Sequence, residues 1–187
     1  PKAVPAFAVV AMVVLFIGLF NGKEITITAE QKLYRDPIVY TKTTPYQRIV
    51  ITKSYSDDLY FYINGHLQFS SQDEYIYHEF MVHPAMAAVK KRDNVLVLGG
   101  GDGLAVREIL KYDDIKSITL VDIDPEMTTL AATNEDLVKL NQGSLTNPKV
   151  TIHDAAGVIK GDKVPLHLRG EGFFRKLKKH EEVEVHL

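Results

Sequence analysis

The sequence predicts an α/β protein with a parallel sheet at its centre, and three observations carry this prediction. Apolar runs at 94–98, 117–121 and 150–153 have the length and the Val, Ile and Leu content of buried strands. Helical apolar spacing follows the first run from Leu104 and the second run from Pro125. A glycine-rich turn joins the first run to its helix. The expected order is strand, helix, strand, helix, strand with right-handed crossovers.

The glycine-rich turn reads Gly99-Gly100-Gly101-Asp102-Gly103. Glycines at the carboxyl end of a parallel strand let a ligand approach the backbone without a Cβ in the way. The spacing is Gly-x-Gly-x-Gly, whereas dinucleotide-binding folds use Gly-x-Gly-x-x-Gly, so the loop is typical of sites for S-adenosyl compounds. The glycines alone would also fit a tight strand-to-helix turn without a ligand.

Two further carboxylates support a ligand site at this edge of the sheet. Asp122 follows the second apolar run and Asp154 follows the third. The carboxyl ends of parallel strands meet at one edge, where an acid about 20 residues after the glycine loop accepts hydrogen bonds from ribose hydroxyls. With Asp102, three successive strands end in an acid. The predicted fold class is therefore a Rossmann-like (S-adenosyl-methyltransferase-like) α/β sheet with a nucleoside site.

Residues 1–23 are expected to form a transmembrane helix. Residues 3–20 carry no charge and are just numerous enough to cross a bilayer. Basic residues are more frequent after this run than before it, so the positive-inside rule predicts a membrane-attached protein with its following domain in the cytoplasm. The alternatives are a secretory signal and a buried helix of a soluble domain. Because the sequence starts at Pro1 without an initiator Met, we expect it to be a fragment of a longer membrane protein.

Residues 24–72 are expected to form a small antiparallel β-domain. The segments 48–53 and 58–63 have the composition and period of strands. Asn64-Gly65 is a strong signal for a two-residue hairpin, which predicts that the chain returns as a further strand through 66–70.

The Rossmann-like domain is assigned to residues 73–187 and is predicted to begin with a helix. Ser71 followed three positions later by Glu74 is the capping-box pattern, which indicates a helix N-terminus. Pro84 is expected to kink or divide this helix, because proline lacks an N–H and clashes with the preceding turn.

Composition excludes several functions. Apolar residues make up 45% of the 187 residues, enough for a folded core. A net charge of −2 gives no reason to expect nucleic acid as a partner, and the basic run at 175–179 is expected to be a solvated face. The absence of cysteine excludes disulfides, thiolate metal sites and a cysteine nucleophile. His78 and His83 lie about 140° apart around a helix, so no metal site is predicted.

A series of short motifs occurs in an order typical of one enzyme family. The motifs are Tyr46-Gln47, Asn64-Gly65-His66-Leu67-Gln68, Asp73-Glu74-Tyr75-x-Tyr77-His78-Glu79, His83-Pro84, Gly99-Gly100-Gly101-Asp102-Gly103, Arg107-Glu108 and Asp122-Ile123-Asp124. Together they resemble the spermidine synthases, the polyamine aminopropyltransferases, over about residues 46–155. The apolar N-terminus resembles that of the membrane-attached members.

The resemblance implies an activity and two sets of binding residues. Enzymes of this family transfer an aminopropyl group from decarboxylated S-adenosylmethionine, a co-substrate, to putrescine, giving spermidine and methylthioadenosine without a prosthetic group. The residues implied for the donor are Gln47, Gln68, Gly99, Gly101, Asp122, Asp154 and Ala155. His78 and Asp102 are implied for the polyamine. A homodimer is a further expectation.

The chemistry of this transfer suits carboxylates. The reaction is a displacement at a carbon activated by a sulfonium leaving group, so the protein positions the reactants and removes a proton from an amine. Asp102 would repel the carboxylate of S-adenosylmethionine and attract a cationic amine, which favours the decarboxylated donor. Asp124 precedes Pro125 and is expected to cap the next helix rather than to bind a ligand.

The resemblance ends near Ala155, so the catalytic base is unknown. The family places an Asp-x-x-Asp-Pro type segment about eighteen residues after the position of Asp154. Here Glu171 is the only carboxylate in that neighbourhood, and Asp162 comes too early. From residue 156 the domain is expected to be divergent, with a sheet that is incomplete at its C-terminus and a chain that alone is slow or inactive. The alternatives are a non-catalytic module that binds an S-adenosyl thioether or a polyamine, and, more weakly, an S-adenosylmethionine-dependent methyltransferase.

Overall fold

The computed structural model describes residues 3–154 and 183–186, which form two four-stranded sheets and their helices. In chain order the elements are α1 (Ala3–Gln31), β1 (Ile38–Thr43), β2 (Arg48–Lys53), β3 (Leu59–Ile63), β4 (His66–Ser70), α2 (Glu74–Ala88), β5 (Asn94–Leu98), α3 (Leu104–Ile109), β6 (Ser117–Asp122), α4 (Pro125–Thr133), α5 (Glu135–Asn141), a short 3-10 helix (Ser144–Thr146), β7 (Val150–Asp154) and β8 (Val183–His186).

The first sheet is antiparallel in the order β1-β2-β3-β4, as the period-two pattern predicts. Asn64 and Gly65 connect β3 to β4 with φ angles of 51° and 80°. Positive φ at both central residues is the geometry of a type I′ turn, whose twist matches that of the flanking strands. The hairpin prediction is therefore confirmed. Strand β1 was not predicted, and it pairs with β2 through a register irregularity between Ile38 and Tyr40.

The second sheet is parallel in the order β7-β6-β5-β8, which confirms the predicted Rossmann-like α/β class. The register pairs Leu98 with Val121 and Asp122 with Asp154, so the carboxyl ends of β5, β6 and β7 lie at one edge. Strand β8 lies on the other side of β5, with its backbone at His186 beside Leu98. Of the divergent segment from residue 156, only this strand is among the described residues.

One apolar core joins the two sheets and the helices between them. The largest fully buried apolar side chains are Phe61, Ile49, Ile51, Met86, Leu96, Leu104, Ile109, Ile115, Ile118, Leu120 and Leu137. Phe61 from β3 and Phe69 from β4 stack with ring centroids 4.9 Å apart, which fixes the face of the antiparallel sheet toward the core.

The N-terminal helix is present but differs from its prediction. It continues to Gln31, so the domain boundary expected at residue 23 falls inside it. Its carboxyl end is held by Gln31, whose side chain accepts from Ile38 N and donates to Asp36 O, and by an ion pair between Glu30 and Arg48. In the described part of the chain, no helix is both long and apolar enough to cross a bilayer. The prediction of a transmembrane helix is therefore not supported.

Three details of the helices differ from the sequence interpretation. The capping box is absent, because Ser71 Oγ accepts from Leu59 N at 2.9 Å and does not cap α2. The N-cap of α2 is Asp73, whose side chain makes no cap hydrogen bond. Pro84 does not divide α2, which runs through it to Ala88. After Asp124 the apolar pattern forms two helices, because Asn134 caps α5 by accepting from Leu137 N.

Gly65 and Gly103 form a matched pair for a stability test. Both have φ of +80°, but a Cβ at Gly65 meets nothing within 4 Å, whereas one at Gly103 would lie 2.7 Å from Ser144 Oγ and 2.9 Å from Leu145 Cγ. We expect Gly65→Ala to lower the free energy of unfolding by about 1 kcal/mol through backbone strain alone. Gly103→Ala should cost about 1 to 3 kcal/mol more through overpacking. Urea denaturation measures both, and equal losses would contradict the packing argument.

Candidate active site

The glycine loop between β5 and α3 is closed by a carboxylate from the next strand. Gly101 N donates to Asp122 Oδ2 at 2.8 Å, and Asp124 N donates to Asp122 Oδ1 at 2.8 Å. A Cβ at Gly101 would lie 2.7 Å from Asp122 Oδ2, so only glycine fits there. Gly99 and Gly100 have φ of 81° and 68°, a region that glycine adopts without strain. The loop and the end of β6 therefore form one rigid floor.

A cavity of about 450 Å³ lies above this floor, between the antiparallel sheet and the carboxyl edge of the parallel sheet. Its polar lining is Gln47, Gln68, Tyr77, His78, Asp102 and Asp122, with the backbone of Gly100 and Gly101. Its apolar lining is Phe61, Ile63, Leu67, Phe69, Ile123 and Met127. Three aromatic rings, two amides, two carboxylates and an imidazole thus share one concave surface with apolar walls, which is the usual composition of a small-molecule site.

Most of the site residues predicted from the sequence lie in this cavity. Those that line it are Gln47, Gln68, His78, Gly101, Asp102 and Asp122. Gly99 is not part of the lining, and its N–H bonds to Val121 O in the sheet at 2.8 Å. Asp154 ends β7 with its backbone beside Asp122, but its side chain lies outside the described residues, as does the whole of Ala155.

Asp124 does more than the capping role that the sequence predicts. Its Oδ1 accepts from Glu126 N at 3.1 Å, which confirms the cap of α4. Its Oδ2 accepts from Gln47 Nε2 and from Thr44 Oγ1, both at 2.8 Å. Asp124 is only 1% exposed, so these bonds tie the antiparallel sheet to the parallel sheet and orient Gln47 at the cavity. Sequence reasoning missed this role because Gln47 lies 77 positions earlier in the chain.

The two carboxylates of the cavity are both shifted toward protonation. Burial raises the pKa of Asp122 although the N–H groups of Asp124 and Gly101 stabilise its charge. Burial likewise raises the pKa of Asp102, against the N–H of Leu104, which donates to Asp102 Oδ1 at 2.8 Å, and against the charge of His78. Because burial keeps water away from both carboxylates, a cation placed in the cavity would favour their charged forms and interact with them more strongly than in water.

His78 faces the cavity from α2 and is only 4% exposed. Its Nδ1 lies 2.7 Å from Glu74 O and 2.9 Å from Glu74 Oε2. Burial would lower the pKa of His78, but the hydrogen bond with Glu74 and the charge of Asp102 outweigh it, so the pKa of the imidazole is raised.

His83 belongs to a separate cluster. Its Nε2 lies 3.2 Å from Glu108 Oε2, and Glu79, His83 and Glu108 bring their ligand atoms within 4.8 Å of one another. Lys111 Nζ already lies 2.5 Å from Glu108 Oε2 and 3.6 Å from Glu79 Oε1, so a cation neutralises this cluster. His78 and His83 have different partners, in agreement with the angle between them on the helix.

The parallel sheet with a glycine loop at the carboxyl edge of its first strand defines the S-adenosyl-methyltransferase-like class of Rossmann fold. Residues 74–163 match a family described as the spermine/spermidine synthase domain. The chain is 50% identical over 140 residues to a polyamine aminopropyltransferase of Oceanobacillus iheyensis, with 75% of this chain and 27% of that relative covered. The chain belongs to the spermidine synthase family.

Solved structures show the same relationship. The spermidine synthase of Thermotoga maritima superposes with a TM-score of 0.59 at 28% identity, over 66% of this chain and 43% of that one. A spermidine synthase in complex with the transition-state analogue AdoDATO superposes with a TM-score of 0.60 at 28% identity, over 66% and 41%. The chain thus spans less than a third of the curated relative above and less than half of these two enzymes.

Asp124→Ala tests whether this carboxylate joins the two sheets. The variant removes the cap of α4 and also the acceptor of Gln47 and Thr44, so we expect the free energy of unfolding to fall by at least about 2 kcal/mol. Asn134→Ala is the matched control, since it removes the cap of α5 and should cost only about 1 kcal/mol. Chemical denaturation compares the two variants. If both lose the same free energy, the bonds between the sheets contribute nothing measurable.

Proposed function

We propose that this chain carries the substrate-binding part of an aminopropyltransferase that acts on decarboxylated S-adenosylmethionine and putrescine and forms spermidine and methylthioadenosine. The observation that carries the proposal is the position of Asp102, a carboxylate inside the glycine loop that lines the cavity together with His78. A loop that receives the methionine carboxylate of S-adenosylmethionine would not place a negative charge there. Family membership and the relatives' names support the same activity.

The donor half of the proposed site extends from the glycine loop to the antiparallel sheet. Asp122 would accept hydrogen bonds from the ribose, and Gln47 and Gln68 would contact the nucleoside from the opposite sheet. Gly101 allows the ligand to approach the backbone. Gly99, Asp154 and Ala155 remain predicted members of this half.

The amine half of the proposed site is formed by His78 and Asp102. An ammonium group would donate a charge-assisted hydrogen bond to the Asp102 carboxylate in an enclosed setting. The aromatic ring of Tyr77 and the apolar side chains of Phe69 and Leu67 border the same cavity and suit the methylene groups of a diamine.

The reaction itself is a displacement at the carbon next to the sulfonium. The nitrogen of the diamine forms a bond to that carbon, the bond from carbon to sulfur breaks, and the nitrogen gives up a proton. The cavity contributes by holding donor and amine in line and by removing water from the two carboxylates. Which group accepts the proton stays unassigned. A homodimer also remains a prediction, and membrane attachment is not part of the proposal.

Mass spectrometry of the protein mixed with putrescine and decarboxylated S-adenosylmethionine tests the proposed function. Formation of spermidine and methylthioadenosine in equal amounts, at a rate well below about 1 s⁻¹, is the expected result, because no catalytic base is recognisable in this chain. Binding of the donor without conversion would instead favour the non-catalytic binding module. A methylated amine formed from S-adenosylmethionine would indicate a methyltransferase. If neither ligand binds nor reacts, the assignment of the cavity is wrong.

Asp102→Asn is expected to change the choice between donors. The substitution keeps the size of the side chain and removes its charge, so affinity for the decarboxylated donor should fall by about 1 to 3 kcal/mol. Affinity for S-adenosylmethionine should fall less or rise, because only that compound brings a carboxylate to the loop. Isothermal titration calorimetry with both compounds measures the ratio. Asp113→Asn, on the exposed turn after α3, is the control, and equal losses for both donors would refute the selection argument.

A further inference from the structure

A buried network of ionic groups lies behind His78. Arg107 donates from Nη1 to Glu74 Oε1 at 2.6 Å and from Nη2 to Glu74 Oε2 at 3.0 Å. The same Glu74 Oε2 lies 2.9 Å from His78 Nδ1. Arg107, Glu74 and His78 are 7%, 5% and 4% exposed, so these three ionic groups are shielded from solvent. Arg107 is held in turn by Glu108 Oε1 at 2.9 Å and Leu140 O at 2.9 Å.

The geometry determines which nitrogen of His78 carries the proton in the neutral ring. Both atoms within hydrogen-bond distance of Nδ1 are oxygens of Glu74, its carbonyl and its carboxylate, and both are acceptors. The stable tautomer therefore has the proton on Nδ1 and a lone pair on Nε2. Since His78 lines the cavity, Nε2 is the ring nitrogen left for a ligand.

We propose that Glu74 and Arg107 are positioning residues of the amine site, which hold His78 with Nδ1 protonated and set the pH at which its Nε2 accepts a hydrogen bond from a substrate ammonium. The inference rests on the proposed function for the identity of the ligand only. The bidentate Arg107 pair fixes the plane of the Glu74 carboxylate, and that carboxylate fixes the imidazole ring. Neither residue lines the cavity itself.

Charged and ionisable groups face His78 from several elements. Glu74 and Tyr77 belong to the same helix, and the Tyr77 ring contacts the imidazole edge at 5.1 Å between centroids. Arg107 approaches from α3 behind Glu74, and Asp102 faces the ring from the glycine loop. Asp122 lies across the cavity at the end of β6. Of these, Glu74 and Asp102 raise the pKa of His78.

The arrangement predicts a sign for the pH dependence of amine binding. A diamine ammonium with a pKa of about 10 stays charged throughout the acid and neutral range. When His78 becomes protonated at Nε2, the site loses an acceptor and gains a cation beside Asp102, so the amine is repelled. Binding should therefore be present above the pKa of His78 and lost as the pH falls through it. Because Glu74 raises the pKa of His78, it moves the loss of amine binding to higher pH. Arg107 limits this rise, because its positive charge offsets the charge of the same carboxylate.

The first measurement is a two-bond ¹H–¹⁵N spectrum of the histidine rings in the full chain without ligand. His78→Gln identifies the signal of His78 among the seven histidines. We expect the neutral ring to carry its proton on Nδ1. A ring with its proton on Nε2 would overturn the proposal, and this result does not depend on any activity or on any variant with an altered ion pair.

The second measurement compares two variants with opposite expected effects. Glu74→Gln keeps the shape of the side chain but removes the charge, so the pKa of His78 should fall. Arg107→Met removes the counter-charge of Glu74, so the pair of Glu74 and His78 should bind its proton at higher pH. A purely structural role would not move the titration in opposite directions. Glu79→Gln, the next acid on the same helix, is the charge-matched control and should leave the titration of His78 nearly unchanged.

The link to the ligand is tested by calorimetry with putrescine, in the presence of methylthioadenosine, across the same pH range. The acid limb of putrescine binding is the pH range in which binding is lost as the pH falls. It should move with the pKa of His78 in each variant, to lower pH in Glu74→Gln and to higher pH in Arg107→Met. An acid limb that stays in place while the His78 signal moves would refute the role of Nε2 in binding the amine. If putrescine does not bind the parent chain at any pH, the proposed function fails, whereas the tautomer and the titration still decide the positioning role.

Discussion

The hydrogen bond between Gly101 N and Asp122 Oδ2 is the constraint on which the site depends. It requires that the backbone of the glycine loop approach a carboxylate from the neighbouring strand at a distance that a Cβ would forbid. The same carboxylate also accepts from Asp124 N and so fixes the turn that leads into α4. One side chain therefore sets the relative positions of two strand ends and of the helix that follows, and the floor of the cavity needs no ligand to be formed.

The antiparallel sheet is attached to this floor by a small number of partly buried polar contacts as well as by apolar packing. Gln47 and Thr44 reach Asp124 across the cavity edge, and Lys53 Nζ reaches Asp136 Oδ1 at 2.8 Å near the start of α5. Hydrogen bonds are directional, so they specify how one sheet lies over the other, whereas apolar contacts tolerate sliding. The spacing between the two sheets, and with it the width of the cavity, follows from these contacts.

Much of the fold could be predicted because the signals are local. The hairpin at Asn64-Gly65 and the strands β2, β4 and β5 are encoded by turn chemistry and by period within a few residues. The contacts that complete the site are not local. Arg107 and Glu74 lie 33 positions apart, and no spacing rule connects them.

The predictions that failed also depended on contacts between residues far apart in the sequence. Ser71 does not cap α2, because its hydroxyl accepts a hydrogen bond from the N–H of Leu59 in β3. The apolar N-terminal run predicted a bilayer crossing, but its helix continues into Glu30 and Gln31, which bind the antiparallel sheet.

The cap of α4 also has an electrostatic consequence for the cavity, which Ile123 and Met127 border at that helix end. An uncapped N-terminus would project partial positive charge into the cavity and attract carboxylates. Asp124 offsets that charge where it arises, so the helix end adds little to attract a carboxylate beside Asp102 and Asp122.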